Sequence, residues 1–305
     1  MNLIFMGTPD IAAESLDTLL KCGHNISCVF TREDKPVGRK QILTAPPVKE
    51  LAITHNIPVM QPKSLRNNEI IEKIAALNPD LIVVVAYGRI LPKEILDIPR
   101  YGCINLHVSL LPMYRGAAPI QWSIINGDSK TGVTIQYMSE GIDEGDIITV
   151  APVDIGINET SKELFEKVSK LGAQTLCDTI EDIKCGKAQR IAQDASKATF
   201  APMLNKEIAN IDFNMSYIKL HNLIRGLNPW PIARFIYDNK QIKILKTRCT
   251  DESADKCGTV ISINPLTIAC KDGAVILDEV IPQGSKLMSG AQWAAGKRLA
   301  VGQIL

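Results

Sequence analysis

The chain has 305 residues, 46% of them hydrophobic, and a formal net charge of +1. That length allows sizeable cores and favours two domains. The near-zero balance excludes a protein that binds polyanions through bulk charge alone, and no apolar run reaches the length of a membrane span. Charge is placed unevenly: from Lys206 onward there are 13 Lys/Arg against 9 Asp/Glu, and 21 against 24 before it. The C-terminal part is therefore the one suited to a polyanion. Eight cysteines occur, with no C-x-x-C spacing and no histidine cluster beside them. This argues against zinc-ribbon and redox motifs. The opening "MNLIFMGTPD" lacks the basic region of a secretory signal. The expectation is a reduced, cytoplasmic protein with no membrane partner.

In chain order, "NLIFMG" reads as a short buried strand and "IAAESLDTLLKCG" as an amphipathic helix closed by Gly23. "NISCVFT" is a second strand, "APPVKELAITHN" a helix opened by prolines, and "NEIIEKIAALNPD" an amphipathic helix. "DLIVVVAYG" is the most β-rich run, without polar alternation, as expected of a central parallel strand buried on both faces. "GCINLHV" is another strand and "APIQWSIINGD" a helix. "TGVTIQYM" and "GDIITVAPV" pair as strands, and "SKELFEKVSKLGAQTLCDTIEDIK" is a long helix. Alternating strands and helices over 1–188 predict a parallel α/β sheet of Rossmann-like type, with its ligand crevice at the carboxyl ends of the strands.

Periodicity fades over 189–206, which reads as a linker. From 207 to 305 one helix, "NMSYIKLHNLIRGL", precedes "PIARFIYD", "KQIKILKTR", "GTVISIN", "LTIACKDG" and "AVILDEVI". Short strands separated by turn residues predict a smaller β-barrel of the oligonucleotide-binding (OB-like) type.

The stretch "GCINLHVSLLPMYRGAAPIQ" carries the most chemistry. Alternation puts Asn105 and His107 on one face of a strand, near its carboxyl end. An amide that donates without ionising and an imidazole that moves protons suit a reaction building negative charge on a carbonyl oxygen. On these two residues alone, a satisfied core histidine is the commoner explanation. The loop "SEGIDEGDII" offers Asp143, Glu144 and Asp146 as orienting carboxylates, and spacing does not choose among them. One nitrogen ligand is too few for a metal site. With no G-x-S-x-G elbow and no activated cysteine, direct attack between two bound substrates is favoured over a covalent intermediate. "MGTPD" holds one glycine and is no dinucleotide or nucleotide-phosphate loop.

"NLHVSLLPMYRGAAPIQW", "GIDEGDII" and "GLNPWPIARF", together with "FMGTPDIAAESL" and "VVVAYGRILP", resemble the folate-dependent formyltransferases and hydrolases along nearly the whole chain. The C-terminal part narrows the resemblance to the methionyl-tRNA formyltransferase family. It implies formyl transfer from 10-formyltetrahydrofolate to the amino group of methionyl-initiator tRNA, without a metal, for translation initiation. Asn105, His107 and Asp143 would be catalytic. Ser109, Leu110, Leu111 and Pro112, with Arg89, Ile90 and Leu91, would contact the folate. Arg39 and Lys40 of the basic loop would meet the tRNA, as would Lys243 and Arg248 of the C-terminal domain. Two features depart from the pattern: Val108 stands where the family usually has glycine, and the basic loop around Gly38-Arg39-Lys40 is about one residue shorter. A regular strand would put Lys243 and Arg248 on opposite faces. A formyl hydrolase, a small-amine formyltransferase and a silent RNA-binding protein are the competing readings. A monomer is expected.

Overall fold

The computed structural model describes residues 1–38 and 40–305. Two compact units emerge, the first built from 1–116, 132–153 and 166–200, the second from 117–131, 154–165 and 201–305.

The first unit alternates strand and helix from its start. β1 (Asn2–Gly7), α1 (Asp10–Lys21) and β2 (Asn25–Phe30) precede a small exposed hairpin of β3 (Lys35–Val37) and β4 (Ile42–Thr44). Then come α2 (Pro47–Thr54), β5 (Val59–Met60), α3 (Asn68–Ala76), β6 (Leu81–Val85), α4 (Lys93–Leu96), β7 (Cys103–His107) and the two-residue β8 (Arg115–Gly116). After α5 (Pro119–Ile125) follow β9 (Lys130–Tyr137), β10 (Ile147–Asp154), α6 (Ser161–Lys184) and the two-residue β11 (Phe200–Ala201).

A seven-stranded sheet runs in the order β10-β9-β7-β6-β1-β2-β5. The run from β5 to β7 is parallel, and β9 enters antiparallel to β7. Every residue of β6 is buried, as its continuous apolar sequence requires when both faces are covered. Strand order reverses between β1 and β6, so the loops leaving these two strands rim the crevice that such a switch creates, and β7 lies next to β6.

One expectation fails in this unit. Cys22 and Cys177 form a disulfide across 155 residues, with Cα atoms 6.9 Å apart. Cys22 caps α1 and Cys177 is buried on α6. Tertiary packing joins two cysteines whose spacing carries no motif.

The second unit holds α5 and then α7 (Tyr217–Gly226), β12 (Arg234–Tyr237), β13 (Lys240–Thr250), β14 (Val260–Ile263), β15 (Leu266–Ala269), β16 (Ala274–Pro282), β17 (Met288–Ser289) and α8 (Gly290–Lys297). Its strands form an antiparallel half-barrel in the order β12-β13-β16-β15-β14, with β17 on β16. Phe213, Phe235 and Trp293 stack edge to face in its core. α7 is buried from Leu220 to Gly226, and a side chain at Gly226 would overlap Ile125 of α5. Helix α8 is absent from the elements expected of the sequence, although Ser289 and Gln292 form a complete capping box at its start.

The alternation expected of β13 is also corrected. Ile244 pairs with Val280 and Thr247 with Leu277, but Lys246 pairs with Glu279. Leu245 is thus an extra residue on β13 and Asp278 an extra residue on β16. Each bulge resets the alternation. Ile242, Ile244 and Thr247 point inward, while Lys246 and Arg248 are exposed and Lys243 half-buried. Lys243 and Arg248 therefore share the outer face.

Candidate active site

Asn105 and His107 lie on one face of β7, opposite Gln136 and Thr134 of β9. All four side chains come from strands whose other face packs Ile104, Leu106, Val133 and Ile135 into the core. Thr134 then shapes the chain beyond β7. Its hydroxyl donates to the Ser109 carbonyl at 2.7 Å and accepts from the Leu111 amide at 3.1 Å. Ser109 Oγ donates to the Met113 carbonyl at 2.6 Å, and Leu111–Pro112 is a cis peptide. The resulting turn brings the Tyr114 carbonyl back over β7, 2.9 Å from His107 Nε2.

The loop between β9 and β10 supplies the carboxylate. Of the three acidic residues that spacing left open, Asp143 is the one beside the histidine: its Oδ2 lies 3.5 Å from His107 Nδ1. The same oxygen accepts from the Gly116 amide at 2.9 Å, and Oδ1 accepts from Gln136 Nε2 at 3.0 Å. Asp143 sits in the left-handed region, φ 54°, close to Gly145, where any side chain would collide with the Tyr137 carbonyl. Glu144 turns instead toward Arg115 at 3.4 Å, and Asp146 toward Arg190 at 3.9 Å.

A cavity of about 20 Å³ is lined by Asn105, Gln136, Met138, Ser139, Gly141, Asp143, Glu144 and Gly145. That is room for a group of about one water's size. Asn105 and Asp143 face it directly. His107 is buried behind Asp143 and reaches it through that carboxylate. Burial pushes the Cys103 thiol up to about 12, so it stays protonated and is no nucleophile. Among the described residues no group of three or more His, Cys, Asp or Glu could hold a metal.

The residues expected to hold folate are distributed unequally. Ser109 and Leu111 are buried, while Leu110 and Pro112 are half-buried on the turn. In the loop after β6, Arg89 donates through Nη1 to the Lys63 carbonyl, Ile90 is exposed, and Leu91 is packed in the core. The Leu91 side chain is structural, and only its backbone is left for a ligand.

Of the residues expected to meet tRNA, Arg39 lies outside the described residues. Lys40 is exposed in the turn joining β3 to β4. The base of that hairpin is tied by Lys49, which bridges both oxygens of Asp34 at 2.8 Å and Gln61 at 3.0 Å. Lys243 lies across from Arg234 on the outer face of the half-barrel. Arg248 is held in a two-pronged pair with Asp278, closest at 2.7 Å. Lys246, Arg248, Asp278 and Glu279 line an open groove of about 620 Å³ with Leu287, Met288 and Ser289.

Sequence reasoning missed Gln136, Gly116, Arg115 and Gln193 around Asp143. Gln136 had a signal: it is a polar residue two places from Thr134 on an otherwise apolar strand, facing the same way. Arg115 and Gly116 stood in the R-G pair of the resembling stretch without an assigned role, and Gln193, in a stretch without regular structure, had no signal.

The formyl transferase family matches residues 1–180, and the formyl transferase C-terminal domain matches residues 203–298. The methionyl-tRNA formyltransferase of Clostridioides difficile (strain 630) is 46% identical over 308 residues, covering all of both chains. That of Alkaliphilus oremlandii (strain OhILAs) is 45% identical, covering all of this chain and 99% of its own. A solved N-formyltransferase from Helicobacter canadensis, in complex with folinic acid and dTDP-3-aminofucose, shares the fold with a TM-score of 0.67 and 21% identity. It covers 94% of this chain and 99% of its own. The chain belongs to the methionyl-tRNA formyltransferase family of folate-dependent formyltransferases.

Proposed function

We propose that Asn105, His107 and Asp143 carry formyl transfer from 10-formyltetrahydrofolate to the amino group of methionyl-initiator tRNA. The observation that supports this most is the position of Asp143, with His107 on one side and the cavity shared with Asn105 on the other. The α-amino nitrogen attacks the formyl carbon, and the carbonyl oxygen gains negative charge. The Asn105 amide is placed to donate to that oxygen, a contribution of about 3 kcal/mol for a preorganised donor. A free α-amino group has a pKa of about 7.7–8.0, and the adjacent electron-withdrawing ester of the charged tRNA lowers it further, so much of the nucleophile is neutral and needs alignment more than a strong base. As the new C–N bond forms, the amine loses a proton. As the bond to N10 of the folate breaks, that nitrogen gains one. Asp143 and His107 form the pair through which the proton moves.

The folate donor is read as seated along Ser109–Pro112 and the backbone of Arg89–Leu91. The turn offers a buried, hydrogen-bonded frame, and the loop after β6 offers the exposed residue Ile90. Arg39 and Lys40 are read as contacts to the tRNA, with Lys243 and Arg248 as salt-dependent phosphate contacts. We read 1–188 as the part that carries the reacting groups, 207–305 as the part for tRNA, and 189–206 as the linker joining them. No helix among the described residues is long and apolar enough to cross a membrane. We read the protein as a cytoplasmic monomer.

The test is purified protein with 10-formyltetrahydrofolate and one of four acceptors: charged initiator tRNA, free methionine, an amino-sugar nucleotide or water. Formylation confined to the tRNA is expected. Equal turnover with water would make the protein a hydrolase and end this reading.

A further inference from the structure

We infer that Gln193 is a positioning residue for the transfer site, acting through the backbone of the Asp143 loop. It comes from the stretch whose sequence resembles a featureless linker, yet its carboxamide is saturated. The two hydrogens of Nε2 are shared among three acceptors, the Gly145 carbonyl at 2.8 Å, the Asp143 carbonyl at 2.9 Å and Gln136 Oε1 at 3.2 Å. Oε1 accepts from Arg115 Nη2 at 2.8 Å and Nε at 3.2 Å.

Each of these partners bears on the carboxylate. Asp143 holds a left-handed backbone that a non-glycine residue keeps only when its surroundings impose it. The donor at its carbonyl, and another two residues on, supply that imposition. Gln136 is oriented at both ends: its Oε1 faces Gln193, which leaves its own amide to donate to Asp143 Oδ1. Arg115 is buried, and its Nη1 is 3.4 Å from Glu144 Oε1, the residue after Asp143. The Arg115 amide donates to the Thr199 carbonyl at 2.8 Å, which fixes the strand carrying the Gly116 amide. One side chain therefore sets the loop backbone, the rotamer of Gln136 and the guanidinium that flanks them. It does not line the cavity that Asn105 and Asp143 face.

This inference rests on Asp143 acting as proposed, and the variants separate the two. Gln193→Glu keeps an acceptor, now charged, for the buried Arg115. It replaces the donor with an oxygen facing two carbonyls. Turnover is expected to fall at least 10-fold, while KM for the folate donor stays within 2-fold and thermal unfolding within a few degrees of the parent. The pH profile of turnover should shift as well, because the spacing of Asp143 and His107 changes. Arg115→Met/Gln193→Met removes the buried charge and its partner together, so it carries the same kinetic test without an unpaired guanidinium. Asp143→Asn runs beside them. If Asp143→Asn is inactive while both Gln193 variants keep turnover within 2-fold, the positioning role is overturned and the catalytic reading stands. If Asp143→Asn is fully active, the catalytic reading falls and this inference with it.

Discussion

His107 presents Nε2 to the carbonyl oxygen of Tyr114 at 2.9 Å. A carbonyl only accepts, so Nε2 carries a proton, and Nδ1 is the nitrogen left facing Asp143 at 3.5 Å. The turn from Ser109 to Tyr114 therefore sets the tautomer. His107→Ala should slow turnover by about 10²- to 10⁴-fold, the usual worth of a positioned acid or base. KM for the folate should stay nearly constant. Steady-state kinetics in both substrates checks this, and a raised KM with turnover unchanged would assign His107 to binding instead.

Asn105→Ala should slow turnover by about 10²- to 10³-fold, as for loss of one oxyanion donor. Asn105→Asp should be worse, because it sets a second carboxylate in the cavity that Asp143 lines. Single-turnover rates at saturating folate make the comparison. An Asn105→Ala rate equal to the parent's would show that the amide donates to nothing in the transition state.

The outer face of the half-barrel makes a distinction between two cations. Lys243 lies beside Arg234, whereas Arg248 is already neutralised by Asp278. Lys243→Ala should weaken tRNA binding and reduce the slope of log affinity against log salt by about 1. Arg248→Ala should do less than Lys243→Ala, and Asp278→Ala should tighten binding. A salt titration of tRNA affinity for the three variants decides it.

His221 is buried between the Thr247 hydroxyl at 2.8 Å and the Ile157 carbonyl at 2.9 Å. Burial is the main cause that holds its pKa below the ordinary 6.5. The unfolded chain then takes up a proton that the folded one resists. Stability is full above about 6.5 and is lost as pH falls from there toward the lower folded value. His221→Gln should flatten part of this acid limb. Urea denaturation from pH 5 to 8 measures it, and an unchanged limb would place the proton uptake elsewhere.

Arg225 on α7 donates to Asn222 and to the carbonyls of Gly156 and Glu159. Arg225→Met should cost about 2–4 kcal/mol, since it leaves buried acceptors unmet. Denaturant midpoints give the value. A loss below about 0.5 kcal/mol would mean that water replaces the guanidinium.

Much of this molecule could be read from residue order because burial leaves a period. β1 and β6 are continuous apolar runs, α6 matches its predicted span, and the alternation of β7 put Asn105 and His107 on one face. Spacing alone did not choose Asp143 over Glu144 and Asp146, and only the family resemblance did, because the choice depends on where the loop backbone turns, and that is set by Gln193 and Gly145. The Cys22–Cys177 link was hidden for the same reason: α1 and α6 are distant in sequence. The hairpin of β3 and β4 left no period either, since both of its short strands are wholly exposed.

The paired bulges at Leu245 and Asp278 tie the lengths of two strands together. Beyond them the ladder returns to the same pairing rule that it obeys before them. Loss of either residue alone would set a core-facing side chain against a solvent-facing one along the rest of the hairpin. Loss of both at once would leave the pairing intact and remove the acidic neighbour of Arg248. Relatives should therefore gain or lose these two positions as a couple, and each such event would change the charge that this face offers to nucleic acid.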